Sequence, residues 1–208
     1  MSTIHGLEKA RRRTASRASI AGMSELPSRA QLYAKLEELP ENQVGEIVDG
    51  VLYASPRPAF PHAKGAAELL VSLGGPFGRG IGGPGGWIIV LEPEWWTGEN
   101  VVVPDIAGWR RERMPHDPTG AHVDLAPDWL CEVLSPSTAR LDRTRKLPLY
   151  ARTGVAHVWL IDPIARSLEV LALDGPTYRL VASAGADEAG RFAPFDAIEL
   201  ELRHLWTR

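Results

Sequence analysis

The feature that most constrains the fold is a short apolar run, WLCEVL at residues 129–134, which is interrupted by one acid, Glu132. A short apolar run of this kind predicts a buried strand. A carboxylate that is buried among apolar side chains costs free energy unless its charge is compensated. Downstream, Asp142, Lys146 and Tyr150 recur at four-residue spacing, which is typical of one face of a helix. We therefore expect a helix that can return Lys146 to the strand containing Glu132.

The order of the predicted elements indicates an α/β fold with a mixed sheet and one crossover helix beside it. The turn-forming pairs Asp49-Gly50 and Asp174-Gly175 each separate two short apolar runs, which is typical of β-hairpins. Between these hairpins, the apolar spacing predicts a helix over residues 60–73. The runs WIIVLEPEWW and VVVPDIAGW predict a further pair of strands joined by a turn.

The length and charge of the chain indicate one domain with a basic leader. A chain of 208 residues can form one sizeable core, so we expect a single domain at residues 28–208 behind a flexible leader at residues 1–27. Residues 1–29 contain six Lys or Arg residues against two Glu residues, so the leader could contact nucleic acid or stay a solvated tail. The acidic remainder argues against broad, nonspecific phosphate binding. The single cysteine, Cys131, and the lack of a long apolar run indicate a cytoplasmic protein without a membrane helix.

Three acids stand out because each of them interrupts an apolar strand: Glu46, Asp105 and Glu132. Two carboxylates on neighbouring strands repel each other unless a cation or a shared proton relieves the repulsion. Mg²⁺ is bound in proteins through one or two carboxylates and water. Lys146 could hold a water molecule or a phosphate oxygen beside such a cation. Asp105, Glu132 and Lys146 together therefore fit metal-assisted hydrolysis of a phosphodiester. The same pattern also fits a structural salt bridge between Glu132 and either Lys146 or an arginine.

Other polar and aromatic residues carry weaker signals. Asp142 lies one helical turn before Lys146 and either orients it or forms an ordinary surface pair. His62 fits a helix histidine whose polar atoms are satisfied better than it fits a catalytic group. Of the adjacent Trp95 and Trp96, at most one could stack on a base, because neighbours on a strand face opposite sides. Four residues of one loop have spacings that match no structural zinc site: His116, Asp117, His122 and Asp124.

Several separated segments, taken together, resemble a known family. They are PDWLCEVLSPSTARLDRTRKLPLYARTGVAHVWLIDP and, ahead of it, GEIVDGVLYASP, His62 and VVVPDIAGW. In this order they resemble the Uma-type restriction endonuclease domains, within the PD-(D/E)XK nuclease superfamily. The resemblance covers about residues 28 to 205 and implies a restriction-endonuclease-like core, in which helices flank a mixed β-sheet.

The resemblance also implies roles for individual residues. Asp105 matches the aspartate of the superfamily motif, and Glu132 matches the second metal-binding carboxylate. The usual lysine two residues further on is missing, since position 134 is Leu. The resemblance implies that Lys146, on the next helix, takes the role of that lysine. Glu46 is the additional acid, contributed by the first hairpin.

Two functions follow from this assignment. The first is an endonuclease that depends on Mg²⁺ or Mn²⁺, cleaves DNA and acts as a homodimer, because two-fold symmetry suits the cleavage of both strands. The alternative is a catalytically inactive nuclease-fold module that binds nucleic acid or a protein partner. The joint presence of Asp105, Glu132 and Lys146 favours the enzyme. The lack of a clear basic face for DNA favours the inactive module.

Overall fold

The computed structural model describes residues 27–206. Residues 1–26 of the predicted leader, and any role of their basic side chains, therefore lie outside the described residues. The helical segments are α1 (Arg29–Glu37), α2 (Phe60–Leu73), α3 (Ala139–Leu141) and α4 (Leu147–Arg152), with π-helical turns at Gly74–Gly78 and Asp142–Lys146 and a 3₁₀ turn at Leu202–His204. The strands are β1 (Gln43–Val48), β2 (Val51–Pro56), β3 (Trp87–Leu91), β4 (Glu94–Thr97), β5 (Asn100–Val102), β6 (Ile106–Arg110), β7 (His122–Val123), β8 (Trp129–Val133), β9 (His157–Asp162), β10 (Ser167–Asp174), β11 (Thr177–Gly185), β12 (Ala189–Gly190) and β13 (Leu200–Glu201).

The strands form two main sheets, which confirms the predicted α/β class. One sheet has the order β2-β1-β5-β4-β7, and the other has the order β11-β10-β9-β8-β6-β3. Strands β12 and β13 pair separately. The larger sheet is mixed because β8 and β9 are parallel, whereas its other neighbours are antiparallel. The helical segment between β8 and β9 is the predicted crossover, which parallel strands require.

Local sequence explains several boundaries. Asp49 and Gly50 join β1 to β2 with φ angles of 50° and 75°, the left-handed pair that a two-residue hairpin turn needs. Ser28 begins α1 through a reciprocal capping box with Gln31. Helix α2 spans residues 60–73, as its apolar spacing predicts. Gly154 follows the crossover helix with a φ of 80°, which glycine adopts without strain.

The pair of strands predicted from WIIVLEPEWW and VVVPDIAGW is divided between the two sheets. The strands next to the connecting turn, β4 and β5, belong to the five-stranded sheet. The strands further from the turn, β3 and β6, belong to the six-stranded sheet. The change of sheet occurs at Glu92, whose φ is 44°, and at Pro104 on the opposite run. Proline cannot donate to a ladder, so a strand is readily interrupted there. This break leaves Asp105 at the junction of the two sheets.

Two large apolar clusters pack the faces of the six-stranded sheet. On one face, α2 and the C-terminal segment cover an aromatic core that contains Trp129, Trp159 and Phe195. On the other face, the crossover helix and the five-stranded sheet cover a cluster that contains Trp95 and Tyr150. Within residues 27–206, no helix combines the length and the apolar character needed to cross a membrane.

Candidate active site

A cavity of about 360 Å³ opens between the two main sheets. All four residues predicted from the sequence line it: Glu46, Asp105, Glu132 and Lys146. Acids outnumber bases in its wall, whose ionisable residues are Glu46, Arg57, His62, Glu92, Asp105, Glu132, Asp142 and Lys146. The lining residues come from both sheets, α2 and the crossover helix, so the site depends on the whole fold.

Strand register brings Asp105 and Glu132 to the same place. Strands β6 and β8 are antiparallel neighbours, with Ile106 opposite Cys131. One step beyond this pair, Asp105 and Glu132 occupy opposing positions at the sheet junction. Directly opposing residues of an antiparallel pair lie on the same side of the sheet. Both side chains accordingly reach one cavity.

Lys146 lies at the centre of the acids. Its Nζ is 2.9 Å from Oε1 of Glu46, 2.9 Å from Oε1 of Glu132 and 3.5 Å from Oδ1 of Asp142. The lysine side chain is almost fully buried, as are these three carboxylates. Burial acts to lower the pKa of Lys146, but the charges of Glu132 and Glu46 outweigh it and raise that pKa well above its usual value. Lys146 is therefore a fixed positive charge at neutral pH.

The crossover helix widens where it meets the site. Residues Asp142–Lys146 form a π-helical turn between α3 and α4, and both of its end residues are buried. Such turns insert one extra residue into a helix and recur at functional sites. Here the turn directs both Asp142 and Lys146 at the cavity, while the helix continues with the buried Leu149 and Tyr150.

Tyr150 completes the group that we call the Lys146 cluster: Glu46, Glu132, Asp142, Lys146 and Tyr150. The Tyr150 hydroxyl donates a hydrogen bond of 2.5 Å to Oε1 of Glu132, the same oxygen that contacts Lys146. Burial raises the pKa of Glu132 well above its usual value; Lys146 opposes this shift, while Asp142, Asp105 and Glu46 add to it. Burial also raises the pKa of Asp142; Lys146 and a hydrogen bond with Thr138 oppose this shift, while Glu46 and Asp105 add to it. The cluster thus contains three carboxyl groups around a single ammonium.

Asp105 and His62, which we call the Asp105 pair, form the more open side of the cavity. Oδ2 of Asp105 accepts a 2.7 Å hydrogen bond from the Val133 backbone amide and lies 3.1 Å from Nε2 of His62. Burial acts to lower the pKa of His62, but the hydrogen bond and charge of Asp105 outweigh it, so the pKa is raised. Both contacts use Oδ2, which leaves Oδ1 of Asp105 for another ligand.

The donor set of Asp105 and Glu132 fits a hard divalent cation. Carboxylate oxygens are the ligands of Mg²⁺, which needs only one or two of them and keeps several waters. Within residues 27–206, no three His, Cys, Asp or Glu side chains are grouped to hold a metal ion together. A cation at Asp105 and Glu132 would therefore complete its coordination with water or substrate oxygens.

The weaker sequence candidates lie elsewhere or have other partners. Trp95 is fully buried, and Trp96 stacks on His122 with ring centroids 3.9 Å apart while Arg29 lies over its ring. Neither tryptophan offers a free face to a base. The loop acid Asp117 forms an exposed ion pair with Arg111.

Three residues at or beside the cavity have contacts that the sequence patterns do not predict. His62 is not a simple helix histidine, because its Nε2 contacts Asp105. Asp142 is a buried neighbour of Lys146 rather than a surface residue. Tyr150 had no assigned role, although its spacing of four residues from Lys146 was a usable signal, since such residues share a helix face.

Comparison with known proteins identifies relatives of the whole domain. The sequence profile of the Uma2 family, described as "Putative restriction endonuclease", matches residues 30–203. A crystal structure described as "a putative nuclease belonging to DUF820 from Anabaena variabilis ATCC 29413" has a similar fold, with a TM-score of 0.67 and 22% sequence identity. The alignment covers 86% of this chain and 97% of that chain. None of the curated proteins compared with the chain matches it.

The family match extends over nearly the whole described domain, and it includes every residue of the Lys146 cluster and the Asp105 pair. The chain therefore belongs to the Uma2 family.

Proposed function

We propose that this chain is a metal-dependent endonuclease that hydrolyses phosphodiester bonds of DNA. Asp105 and Glu132 would hold Mg²⁺ or Mn²⁺, with Glu46 and Lys146 as the other active-site residues. Membership of the Uma2 family and the similarity of the fold to that of a protein described as "a putative nuclease" support this assignment. Because a fold alone does not define a reaction, the argument rests on the chemistry of the cavity.

The observation that carries the proposal is the excess of carboxylates in one enclosed place. Glu46, Glu132 and Asp142 surround a single lysine, and Asp105 lines the same cavity. A structural salt bridge needs one acid for one base, and further buried acids cost free energy. A divalent cation would relieve this repulsion and would oppose the raised pKa of Glu132.

The residues of the chain have separable roles in this reaction. When bound, the metal ion would polarise the phosphate and lower the pKa of a bound water molecule. Lys146 keeps its proton because its pKa is raised, so it acts as a positive charge and not as a proton acceptor. Tyr150 and Lys146 fix Oε1 of Glu132. The Val133 amide and His62 fix Oδ2 of Asp105, so both acids present their remaining oxygens in a defined orientation.

The rim of the cavity provides donors for a nucleic-acid backbone. Arg57, Ser135, Ser137 and Thr138 line the same cavity as the acids. Hydroxyl and guanidinium groups are common partners of phosphate oxygens in protein–DNA contacts. These few donors suit a localised backbone contact. Cys131 is fully buried in β8, which fits the reducing cytoplasm that we propose as the compartment.

A cleavage assay tests the proposed activity. Supercoiled and linear DNA are incubated with the wild-type chain in Mg²⁺, in Mn²⁺ and in EDTA. We expect cleavage only with a divalent cation, and its loss in Glu132→Gln. The matched control is Glu169→Gln, which changes a strand glutamate that pairs with Arg143 away from the cavity. Equal cleavage by both variants, or cleavage in EDTA, would contradict the assignment.

The alternative is an inactive nuclease-fold module that binds nucleic acid or a protein partner. The observation that favours it is the close pairing of Lys146 with buried acids, since such a cluster can also serve the fold alone. The two functions differ in the cleavage assay with wild type. A folded protein that binds DNA but cleaves none in any metal supports the inactive module.

A further inference from the structure

Strand β3 forms an open edge of the six-stranded sheet. The amide of Glu92 donates to the Asp105 carbonyl, and the amide of Arg111 donates to the Gly86 carbonyl. Because hydrogen-bonded positions alternate along an antiparallel pair, the even-numbered residues of β3 bond to β6. The backbone groups of the odd-numbered residues therefore point away from the sheet. They belong to Trp87, Ile89 and Leu91, and no neighbouring strand covers them within residues 27–206.

This edge lacks the features that keep most edges from pairing. Natural proteins protect edge strands with charges, proline, bulges or very short strands. Strand β3 reads WIIVL and contains neither a charged residue nor proline, and its register with β6 is continuous. The other edge of the same sheet, β11, carries Arg179, and its ladder with β10 is interrupted by a register shift. In the smaller sheet, the edges are β2, which ends at Pro56, and the two-residue β7.

Exposed apolar side chains continue from this edge onto α2. Val90 and Leu91 are 39% and 40% exposed, although both belong to a strand of the core sheet. Leu91 also borders a groove of about 240 Å³ whose other wall is α2. The outward face of α2 is apolar at helical spacing, with exposed side chains at Phe60, Ala63, Ala67 and Val71. A helix face of this kind normally packs against another element.

We propose that a second copy of this chain covers the edge, with the two β3 strands paired antiparallel about a two-fold axis at Ile89. In this register, Leu91 of each copy lies opposite Trp87 of the other, so the outward backbone groups of both strands satisfy each other. Val90 of one copy then lies beside Ile88 of the other. The edge is thus complementary to itself, as a two-fold interface requires.

The charges at the two ends of the strand select this antiparallel arrangement. Glu92 follows Leu91 and lines the groove beside α2. At the opposite end, the guanidinium of Arg110 lies 4.1 Å from the centre of the Trp87 ring. Antiparallel pairing brings the Glu92 end of each copy to the Arg110 end of the other, which places opposite charges together twice. A parallel arrangement would place like charges together.

This interface also relates the two cavities. Glu92 lines the cavity of the candidate active site. At about 3.3 Å per strand residue, the two Glu92 positions would lie roughly 20 Å apart along the paired strands. A two-fold axis perpendicular to the sheet places both α2 helices, and both cavities, on the same side. Two such sites would face one extended ligand together.

Sedimentation equilibrium of the full chain, with two matched variants, tests the interface. Val90 and Val181 are both 39% exposed and lie on opposite edges of the same sheet. We expect wild type and Val181→Lys to have twice the mass of one chain at micromolar concentration, and Val90→Lys to have the mass of one chain. A monomeric wild type, or a dimer that only Val181→Lys disrupts, would overturn the proposal.

Amide hydrogen exchange of the wild-type chain gives an independent readout that does not depend on the folding of a variant. The amides of Ile89 and Leu91 should exchange rapidly in dilute protein and become protected as the concentration rises through the dimerisation range. The amide of Val90, which bonds to β6, should be protected throughout. Protection of Ile89 and Leu91 at every concentration in a monomer would show that another part of the same chain covers the edge, and it would overturn pairing with a second copy.

Discussion

The Lys146 cluster and the Asp105 pair hold their acids in different ways. In the cluster, the ammonium of Lys146 lies 2.9 Å from both Glu46 and Glu132 in an almost fully buried setting. In the pair, the Asp105 side chain remains 16% exposed and is held by a backbone amide and His62. The difference indicates that the fold depends more on Lys146, the counter-charge of the buried acids, than on His62. In the Asp105 pair both contacts use Oδ2, so Oδ1 of Asp105 is better placed to bind and release a ligand.

The largest effect should come from removing the ammonium of the cluster. Lys146→Ala would leave buried carboxylates without their counter-charge, so we expect a loss of about 3–5 kcal/mol in the free energy of unfolding. Urea unfolding at neutral pH measures this loss. The control is Arg143→Ala, which breaks a partly exposed bridge to Glu169 and should cost about 1 kcal/mol or less. An equal loss in the free energy of unfolding of the two variants would contradict the claim that the fold depends on Lys146.

A smaller effect should follow from removing the hydroxyl that fixes Glu132. Tyr150→Phe would lose a 2.5 Å hydrogen bond to a carboxylate, for which we expect about 1.5–3 kcal/mol. Tyr178→Phe is a matched control, because its hydroxyl donates to the neutral carbonyl of Val155 and should cost about 1 kcal/mol. Unfolding of both variants under the same conditions gives the comparison. A greater loss in Tyr178→Phe would argue against a charged acceptor at Glu132.

The smallest effect concerns the pH dependence of the Asp105 pair. The pKa of folded His62 is raised, so protonated His62 stabilises the fold fully below pH 6.5, the ordinary pKa of histidine. This stabilisation fades as the pH rises through the folded pKa. His62→Gln should therefore be less stable than wild type in acid, with a gap that narrows as the pH increases. Thermal unfolding in EDTA across this range measures the gap.

His157 provides a control of opposite sign. Burial, together with the charge of Arg110, lowers the pKa of His157, so its protonation opposes folding as the pH falls below 6.5. His157→Gln should gain stability relative to wild type in acid, where His62→Gln loses it. If the stability of both variants in acid changed in the same direction relative to wild type, the opposite pKa shifts that we assign to these two histidines would be wrong.

Much of the fold could be predicted because local sequence determines it. The turn at Asp49-Gly50 and helix α2 follow from turn chemistry and apolar spacing. Proline marks a break in each of the two runs, at Pro93 and Pro104, but the assignment of their halves to different sheets could not be predicted. That assignment depends on the left-handed φ at Glu92 and on packing between distant segments. Local patterns carry no information about such a change of partner.

The candidate site was predictable where an acid interrupts an apolar strand, as at Glu46, Asp105 and Glu132. His62 and Tyr150 were harder to place, because a helix histidine and a core tyrosine are ordinary in sequence. Their contacts arise only when α2 and the crossover helix dock on the sheet.

Calorimetric titration with Mn²⁺ tests most directly the central claim that Asp105 and Glu132 hold a divalent cation. We predict that wild type binds Mn²⁺ and that Asp105→Asn and Glu132→Gln each abolish this binding. Asp117→Asn, which changes an exposed loop acid, should retain it. Glu132→Gln should stay folded, because glutamine is close in size to glutamate and its side-chain oxygen can still accept the hydrogen bond from Tyr150. Unchanged Mn²⁺ affinity in folded Asp105→Asn and Glu132→Gln would contradict the claim.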